Sequence, residues 1–376
     1  MKPRGGWAVR ARWTIESLAA VGCRVTVVST EEPEGEDNTD TGVIPEAMKI
    51  VTLRRPLRWG FSSELVEVLK AESRQWDAVV IESAMFLPAV MCAKMECPLI
   101  WDTNEAETLH YRRRKFSPTG WIKCGIWEVL EWGACRRAAA IVAISEVEAD
   151  WWKTHFKVPS ERVLVVPHLP WLRDPKASAD ATHAMIERYP ELHARIRLLF
   201  VGNVSAKHNY EAAAWLIKVL WPRLPEDVAL ILAGPGTDRL SAIRPRCTSG
   251  APLLLLGAVD NIDTVIRSAD FTLAPLASGA GVKTKVLHYL AHHRPVIGTP
   301  TAFEGIPLGE GMVCISMENF VSEVLNQIAR LRQAPRGSTV SISYPPYTVS
   351  QVYQSWNLVL RQATSVSPDG MGWFRR

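Results

Sequence analysis

The sequence has no apolar stretch near the ~20 residues that span a bilayer, and its first residues lack the apolar core of a signal peptide. Its seven cysteines, Cys23, Cys92, Cys97, Cys124, Cys135, Cys247 and Cys314, form an odd set without a C-x-x-C pair. Neither a disulfide framework nor a zinc site is indicated, and a reducing cytosol is the expected setting. Charge of one sign is also scarce. A net +4 over 376 residues is too little to argue for a nucleic-acid partner. No G-x-G-x-x-G follows a first strand, which disfavours a dinucleotide oxidoreductase, and no Asp-x-Asp pair stands where a divalent ion would help.

What is present is apolar content of 47%, enough for large cores, and at roughly 100–200 residues per domain the length implies two domains with a cleft between them. Short buried-looking strands alternate with helix-length segments. In the first half these are Arg24–Ser29, Ala78–Glu82, Pro98–Asp102, Ala140–Ser145 and Val163–Pro167. The rhythm returns at Arg197–Gly202, Ala229–Gly234, Leu253–Gly257, Phe271–Pro275 and Pro295–Gly298. Alternation of this kind predicts parallel sheets covered by helices, an α/β fold. A Pro-rich linker is expected near Pro170–Ala177, an acidic surface loop at Glu31–Thr41, and a renewed helical pattern at Val349–Gln362 after a polar, Pro-rich break.

The stretch SGAGVKTKVLHYLA, Ser278 to Ala291, carries the chemistry. Gly279, Ala280 and Gly281 let backbone approach a ligand, and Lys283 and Lys285 add positive charge where a helix N-terminus already favours an anion. Lys285, His288 and His292 fall on one helical face and are expected to line a cleft while the apolar residues pack.

The run from Leu198 to Pro307 (FVGNVSAKHN, ALILAGPG, then LLLLGAVDN through APLASGAGVKTKVLHYLAHHRPVIGTP) resembles the donor-binding domain of GT-B glycosyltransferases of the fourth family, the group 1 transferases. Weaker likeness extends through Gly5–Gly6, DTNEAE at Asp102–Glu107, AISE at Ala143–Glu146 and VPHL at Val166–Leu169. The resemblance implies two Rossmann-like domains facing a cleft. It places an acceptor-side domain at residues 1–172, a nucleotide-sugar domain at 173–345, and a helix with its tail, 346–376, crossing back to the first domain. It implies donor-binding roles for Gly5, Gly6, Gly202, Asn203, Lys207, His208, Gly257, Ala258, Val259, Gly281, His288 and Thr299. Lys283 and Lys285 would neutralise the leaving diphosphate, and Asn104 would stand on the acceptor side near where some relatives have a histidine.

Three positions depart from the pattern. His288 replaces a glutamate that grips ribose hydroxyls in many relatives, the partner glutamate falls at Ala280, and Asn203 replaces an arginine. A glutamate restored at 288 is expected to be tolerated or to improve donor affinity. Relatives also begin with a buried strand before the glycine pair, whereas this chain begins MKPRGG, so the expectation is a start codon assigned too late.

The segment Tyr111–Arg137 interleaves basic residues with Trp121, Trp127 and Trp132, a composition that fits contact with anionic lipid on the inner face of a membrane as well as an ordinary packed helix. The implied activity is a metal-independent, retaining sugar transfer without a cofactor, from a nucleotide sugar to a glycan or lipid-linked acceptor, in cell-envelope polysaccharide assembly. A non-catalytic nucleotide-sugar or glycan-binding protein that keeps the fold is the alternative.

Overall fold

The computed structural model describes residues 6–29, 48–53, 60–71, 73–113, 118–170, 181–245, 250–333 and 347–365. Gly5, the acidic Glu31–Thr41 stretch, Cys247 and nearly all of the linker segment lie outside them. The chain divides into two compact units, residues 1–169 with 347–376, and residues 170–346.

The first unit runs α1 (Gly6–Ala20), β1 (Val25–Ser29), β2 (Met48–Thr52), α2 (Ser63–Ala71), β3 (Val79–Ile81), α3 (Leu87–Ala93), β4 (Leu99–Asp102), α4 (Glu107–Arg113), α5 (Pro118–Arg137), β5 (Ala140–Ala143), α6 (Glu146–His155) and β6 (Val163–Val165). β3, β4, β5 and β6 form a parallel sheet in that order, and β1 pairs with β2 in a separate parallel ribbon. β4 and β5 are buried along their whole length, as expected of parallel strands covered on both faces, whereas β1 is only half-buried.

The second unit runs α7 (Ala181–Arg188), β7 (Ile196–Val201), α8 (Lys207–Trp215), β8 (Val228–Ala233), β9 (Leu253–Gly257), α9 (Ile262–Ser268), β10 (Phe271–Ala274), α10 (Thr284–Ala291), β11 (Val296–Gly298), β12 (Met312–Cys314) and α11 (Phe320–Gln333). Its six strands lie in the order β12-β11-β10-β7-β8-β9, all parallel. Every residue of β8 is fully buried, which explains the unbroken apolar run of its sequence. At the N-terminal ends of β7 and β10, Asp270 accepts from the Arg197 backbone amide at 2.8 Å and from its guanidinium at 2.8 and 3.0 Å, which pins the two strands in register.

A last helix, α12 (Val349–Ser365), belongs to the first unit. Val352, Trp356, Val359 and Ala363 recur at helical spacing, and all four are buried against Leu18 of α1, Ile100 of β4, Val142 of β5 and Val166. Trp356 is 1% exposed. Trp356→Ala is expected to destabilise the first unit by about 3–5 kcal/mol, read as a lower urea midpoint for that unit with the transition of the second unit unmoved.

Candidate functional site

In the second unit β7 and β10 are neighbours, but the chain leaves them in opposite directions. β7 continues through α8 to β8 on one side, and β10 continues through α10 to β11 on the other. Right-handed crossovers therefore send α8 and α10 to opposite faces of the sheet. The loops at residues 202–206 and 275–283 diverge at their starts, and such a crevice at the carboxyl ends of parallel strands is where open α/β sheets bind ligands.

Two lysines occupy this point. Lys283, 7% exposed, donates from Nζ to the carbonyls of Ala280 at 2.8 Å and Gly281 at 2.6 Å, so the ammonium gathers its own loop around it. Gly281 has a φ of 69°, a conformation that the loop obtains most cheaply from glycine. Lys285, the second residue of α10, reaches towards the β7 loop. Its Nζ donates to Asn209 Oδ1 at 2.5 Å and sits 4.3 Å from the centroid of the Phe200 ring. A Cβ on Gly202 would stand 3.1 Å from that nitrogen, from Asn209 Cγ and from Phe200 Cε1, so a larger residue would press on all three. Burial, and then the charge of Lys283, push the Lys285 ammonium down to about 7. Asn209 in turn donates from Nδ2 to the Asn203 carbonyl at 2.9 Å, and Tyr289 Oη accepts from the Val201 amide at 2.6 Å. Residues of α8 and α10 thus fix the end of β7 from both sides.

A second cluster lies where α9 meets α10. Asp263, fully buried, has Oδ1 2.7 Å from His288 Nε2 and 3.2 Å from His292 Nε2, the second contact being out of line for a hydrogen bond. Arg267 donates from Nε to His292 Nδ1 at 3.1 Å. That bond makes Nδ1 the acceptor and puts the proton of neutral His292 on Nε2, facing Asp263. Burial works to raise the pKa of Asp263, but the two imidazoles outweigh it and hold the carboxylate ionised far below its ordinary range. Burial pushes His292 down and keeps it neutral. Two histidines and a carboxylate at this spacing have the donor types of a metal centre. The proton that Arg267 imposes on His292 Nε2 occupies the nitrogen a metal would need, and Asp263 is held instead by His288. With Nε2 of His288 committed to the carboxylate, its Nδ1 is the nitrogen left to accept from a ligand.

In the first unit, ionisable groups also collect at the carboxyl ends of the strands. Arg10 and Asp102 form a fully buried pair with contacts of 2.6 and 3.1 Å, Thr14 donates to Asp102 Oδ2 at 2.7 Å, and Arg10 reaches the Val166 carbonyl at 2.9 Å. Burial and then the Asp102 charge push Glu82 up to about 8, and burial pushes Glu148 up to about 7. His168 is buried with no partner on Nε2, and burial followed by the Arg10 charge lowers it to about 3. Asn104 donates to the Glu82 carbonyl at 2.9 Å and ties the end of β4 to that of β3.

Two family models match the chain. Glycosyltransferase Family 4 covers residues 4–169 and Glycosyl transferases group 1 covers residues 195–333, so between them they account for most of the sequence. The chain belongs to the GT-B glycosyltransferases. Solved structures agree on the fold. The protein HepE from Anabaena, in complex with UDP-glucose, superposes with a TM-score of 0.69 at 13% identity over 98% of this chain and 97% of its own. A glycosyltransferase from Rickettsia africae gives 0.66 at 12% identity, covering 98% and 96%. WaaG, a glycosyltransferase involved in lipopolysaccharide biosynthesis, gives 0.57 at 15%, covering 99% and 90%. A comparison with curated protein sequences gives no match.

In this GT-B glycosyltransferase the residues singled out in the sequence do not all gather at one place. Gly202, Asn203, Gly281, Lys283 and Lys285 lie at the switch point. Lys207 and His208 open α8 beside it, with Lys207 exposed and 3.6 Å from Glu211. Asn203 is exposed, and its Oδ1 accepts from the Ser205 amide at 2.9 Å. Gly257, Ala258 and Val259 follow β9; Ala258 is exposed, while Val259 packs on the core. Thr299 is buried, and its hydroxyl donates to the Leu276 carbonyl at 2.6 Å, so it braces the lysine loop from behind. Gly6 begins α1 in the other unit, where Asn104 follows two residues after the end of β4. His292 does not line a cleft: it is 5% exposed and held between Asp263 and Arg267.

Asp263 also changes the expectation for a glutamate at 288. A carboxylate there would face a buried carboxylate now 2.7 Å from the imidazole, and two like charges so close cannot both ionise. His288→Glu is therefore expected to destabilise the second unit by about 1–3 kcal/mol, with the loss recovered when Asp263→Ala is added. Thermal melting of the single and double variants checks this.

Proposed function

We propose that this glycosyltransferase uses the switch point of its second unit to hold the diphosphate of a nucleotide-sugar donor, and that it transfers the sugar with retention to a glycan or lipid-linked acceptor. The observation that carries the reading is the convergence of buried Lys283 and half-buried Lys285 where the β7 and β10 loops diverge, Lys285 being bonded only to an amide oxygen and a ring face among its described contacts. HepE, which shares the fold, has been solved with UDP, with UDP-glucose, and with UDP and glucose. That supports a uridine nucleotide as the first donor to try.

Under this reading Lys283 and Lys285 stabilise the negative charge that builds on the departing diphosphate as the bond from the sugar's anomeric carbon breaks. Gly202 and Gly281 leave room for the phosphates, the backbone around Gly257, Ala258 and Val259 borders the nucleobase, and His288 Nδ1 accepts from a donor hydroxyl. Asn203, Lys207 and His208 rim the same crevice. The acceptor oxygen bonds to the anomeric carbon on the face that the diphosphate leaves, its proton passing to the departing diphosphate, with no divalent ion required because the lysines supply the charge. Asn104 and the buried acids of the first unit are placed on the acceptor side.

Lys283→Ala and Lys285→Ala are each expected to lower turnover by about 10- to 100-fold, the worth of one charge-assisted contact to the leaving group. The assay is release of free nucleoside diphosphate across a panel of nucleotide sugars with thermal shift alongside. A shift without turnover for any donor would identify a nucleotide-sugar-binding protein that has kept the fold, and unchanged rates in both variants would remove the diphosphate site.

The state of Lys285 makes donor binding depend on pH. Only the ammonium form attracts the diphosphate, and its pKa in the free protein is about 7 instead of the ordinary lysine value. Nucleotide-sugar affinity is expected to be flat below pH 7 and to fall by about tenfold per unit above it, where one proton is taken up on binding. Titration calorimetry in buffers of different ionisation enthalpy measures both, and Lys285→Arg should flatten the profile.

A further inference from the structure

Four side chains join α9 to the end of α10. Asp263 and Arg267 stand one turn apart on α9, and His288 stands one turn before His292, the residue that caps α10, so each pair shares a helical face and the two faces meet. The rings of His288 and His292 lie 5.2 Å apart at their centroids. Asp263 and His292 are committed within the cluster, both buried, the histidine held at Nδ1 by Arg267. His288 keeps one side open, its side chain 17% exposed.

We propose that Asp263 is a positioning residue for the donor that acts through His288, fixing the imidazole so that Nδ1 meets a hydroxyl on the sugar ring bonded to the diphosphate. An ionised carboxylate can only accept, so the proton in the 2.7 Å contact belongs to His288 Nε2. A neutral ring that donates from Nε2 keeps its lone pair on Nδ1. The same bond fixes the rotation of the ring about χ2, a broad torsion that nothing else in the side chain restricts. Hydrogen bonds to a charged group are the stronger ones, and a chain of them polarises its members, so the carboxylate also makes Nδ1 a better acceptor.

The surroundings keep Asp263 in that role. Asn261 accepts from the Asp263 amide at 3.0 Å as it caps α9, which fixes the backbone from which the carboxylate projects. His292 turns its Nε2 proton to the same carboxylate oxygen at 3.2 Å, so both imidazoles oppose protonation of the acid. Lys285 and His288 are three residues apart on α10, which puts their Cβ atoms about 5–6 Å apart. A diphosphate at Lys285 therefore brings the ring bonded to it within reach of His288. That ring is the ribose on one side and the transferred sugar on the other, and both carry hydroxyls able to donate to Nδ1. The inference rests on the proposed donor site and adds to it a buried acid that never touches the ligand.

The test is titration calorimetry of the full chain with UDP, GDP, ADP and UDP-glucose, run as a double-mutant cycle on Asp263→Ala and His288→Ala. Each single variant is expected to bind about tenfold more weakly. The double variant should bind no more weakly than His288→Ala alone, because Asp263 has nothing to act through once the imidazole is gone. Asp263→Asn, which keeps the buried volume, goes through the same cycle with a smaller loss. Nitrogen NMR of the histidine-labelled parent should show His288 with its proton on Nε2, and Asp263→Ala should show an averaged ring. A penalty already present with the bare nucleoside diphosphate assigns the hydroxyl to the ribose, and one confined to UDP-glucose assigns it to the transferred sugar. A proton on Nδ1 in the parent, a loss from Asp263 that persists without His288, or no loss at all would overturn the role of Asp263 while leaving the lysine site standing. Absence of binding by the parent, or binding that Lys285→Ala leaves unchanged, would overturn it together with the donor site.

Discussion

The lateral pairing of β7 with β10 is the constraint from which the rest of the second unit follows. The strands are separated in sequence by two other strands and their helices, yet Leu198 stands opposite Phe271 and Leu199 opposite Thr272. The clamp between Arg197 and Asp270 holds one end of that pairing, and it frees the other end to be a place where two loops part. Because the crossovers are right-handed, everything at the candidate site arrives there from opposite faces of the sheet: Asn209 from one side, Lys285 and Tyr289 from the other.

The two units handle buried charge differently. In the first, Arg10 and Asp102 satisfy each other so fully that they add nothing to the surface potential. Such a pair contributes little net stability, although removing one partner strands the other in the core. In the second, the lysines are surrounded by carbonyl, amide and aromatic groups that solvate an ammonium without cancelling its charge. The first arrangement suits a structural tie. The second leaves a field for an incoming anion to use.

Most strands could be read from the sequence because parallel strands buried on both faces are written as short unbroken apolar runs. The exceptions are instructive. β2, Met48–Thr52, carries a lysine at its second position, and β12, Met312–Cys314, is a three-residue edge strand with no room for a pattern. The lysines and their glycines were legible because they are contiguous. Asn209, Asp263 and Arg267 were not, since their partners come from α10, tens of residues away, and Asp263 in the first turn of α9 already reads as an ordinary helix-start acid. In α5 the sequence shows tryptophans and arginines, but exposed Trp121, Ile122 and Val129 stand opposite buried Trp127 and Ala134, and two apolar faces cancel any periodic signal. Only the folded chain reveals which face is bare.

The return of α12 to the first unit makes residues 170–346 a closed excursion between two points of one core. Ile100, Val142 and Val166 are already in place when β6 is made, but Trp356, which covers them, is synthesised only after the whole second unit. During translation that face of the sheet is therefore uncovered for as long as the ribosome takes to make the excursion. Folding of the second unit meanwhile shortens the effective loop that α12 must close, and so lowers the entropy cost of its docking. The second unit thereby acts as an internal scaffold for the completion of the first.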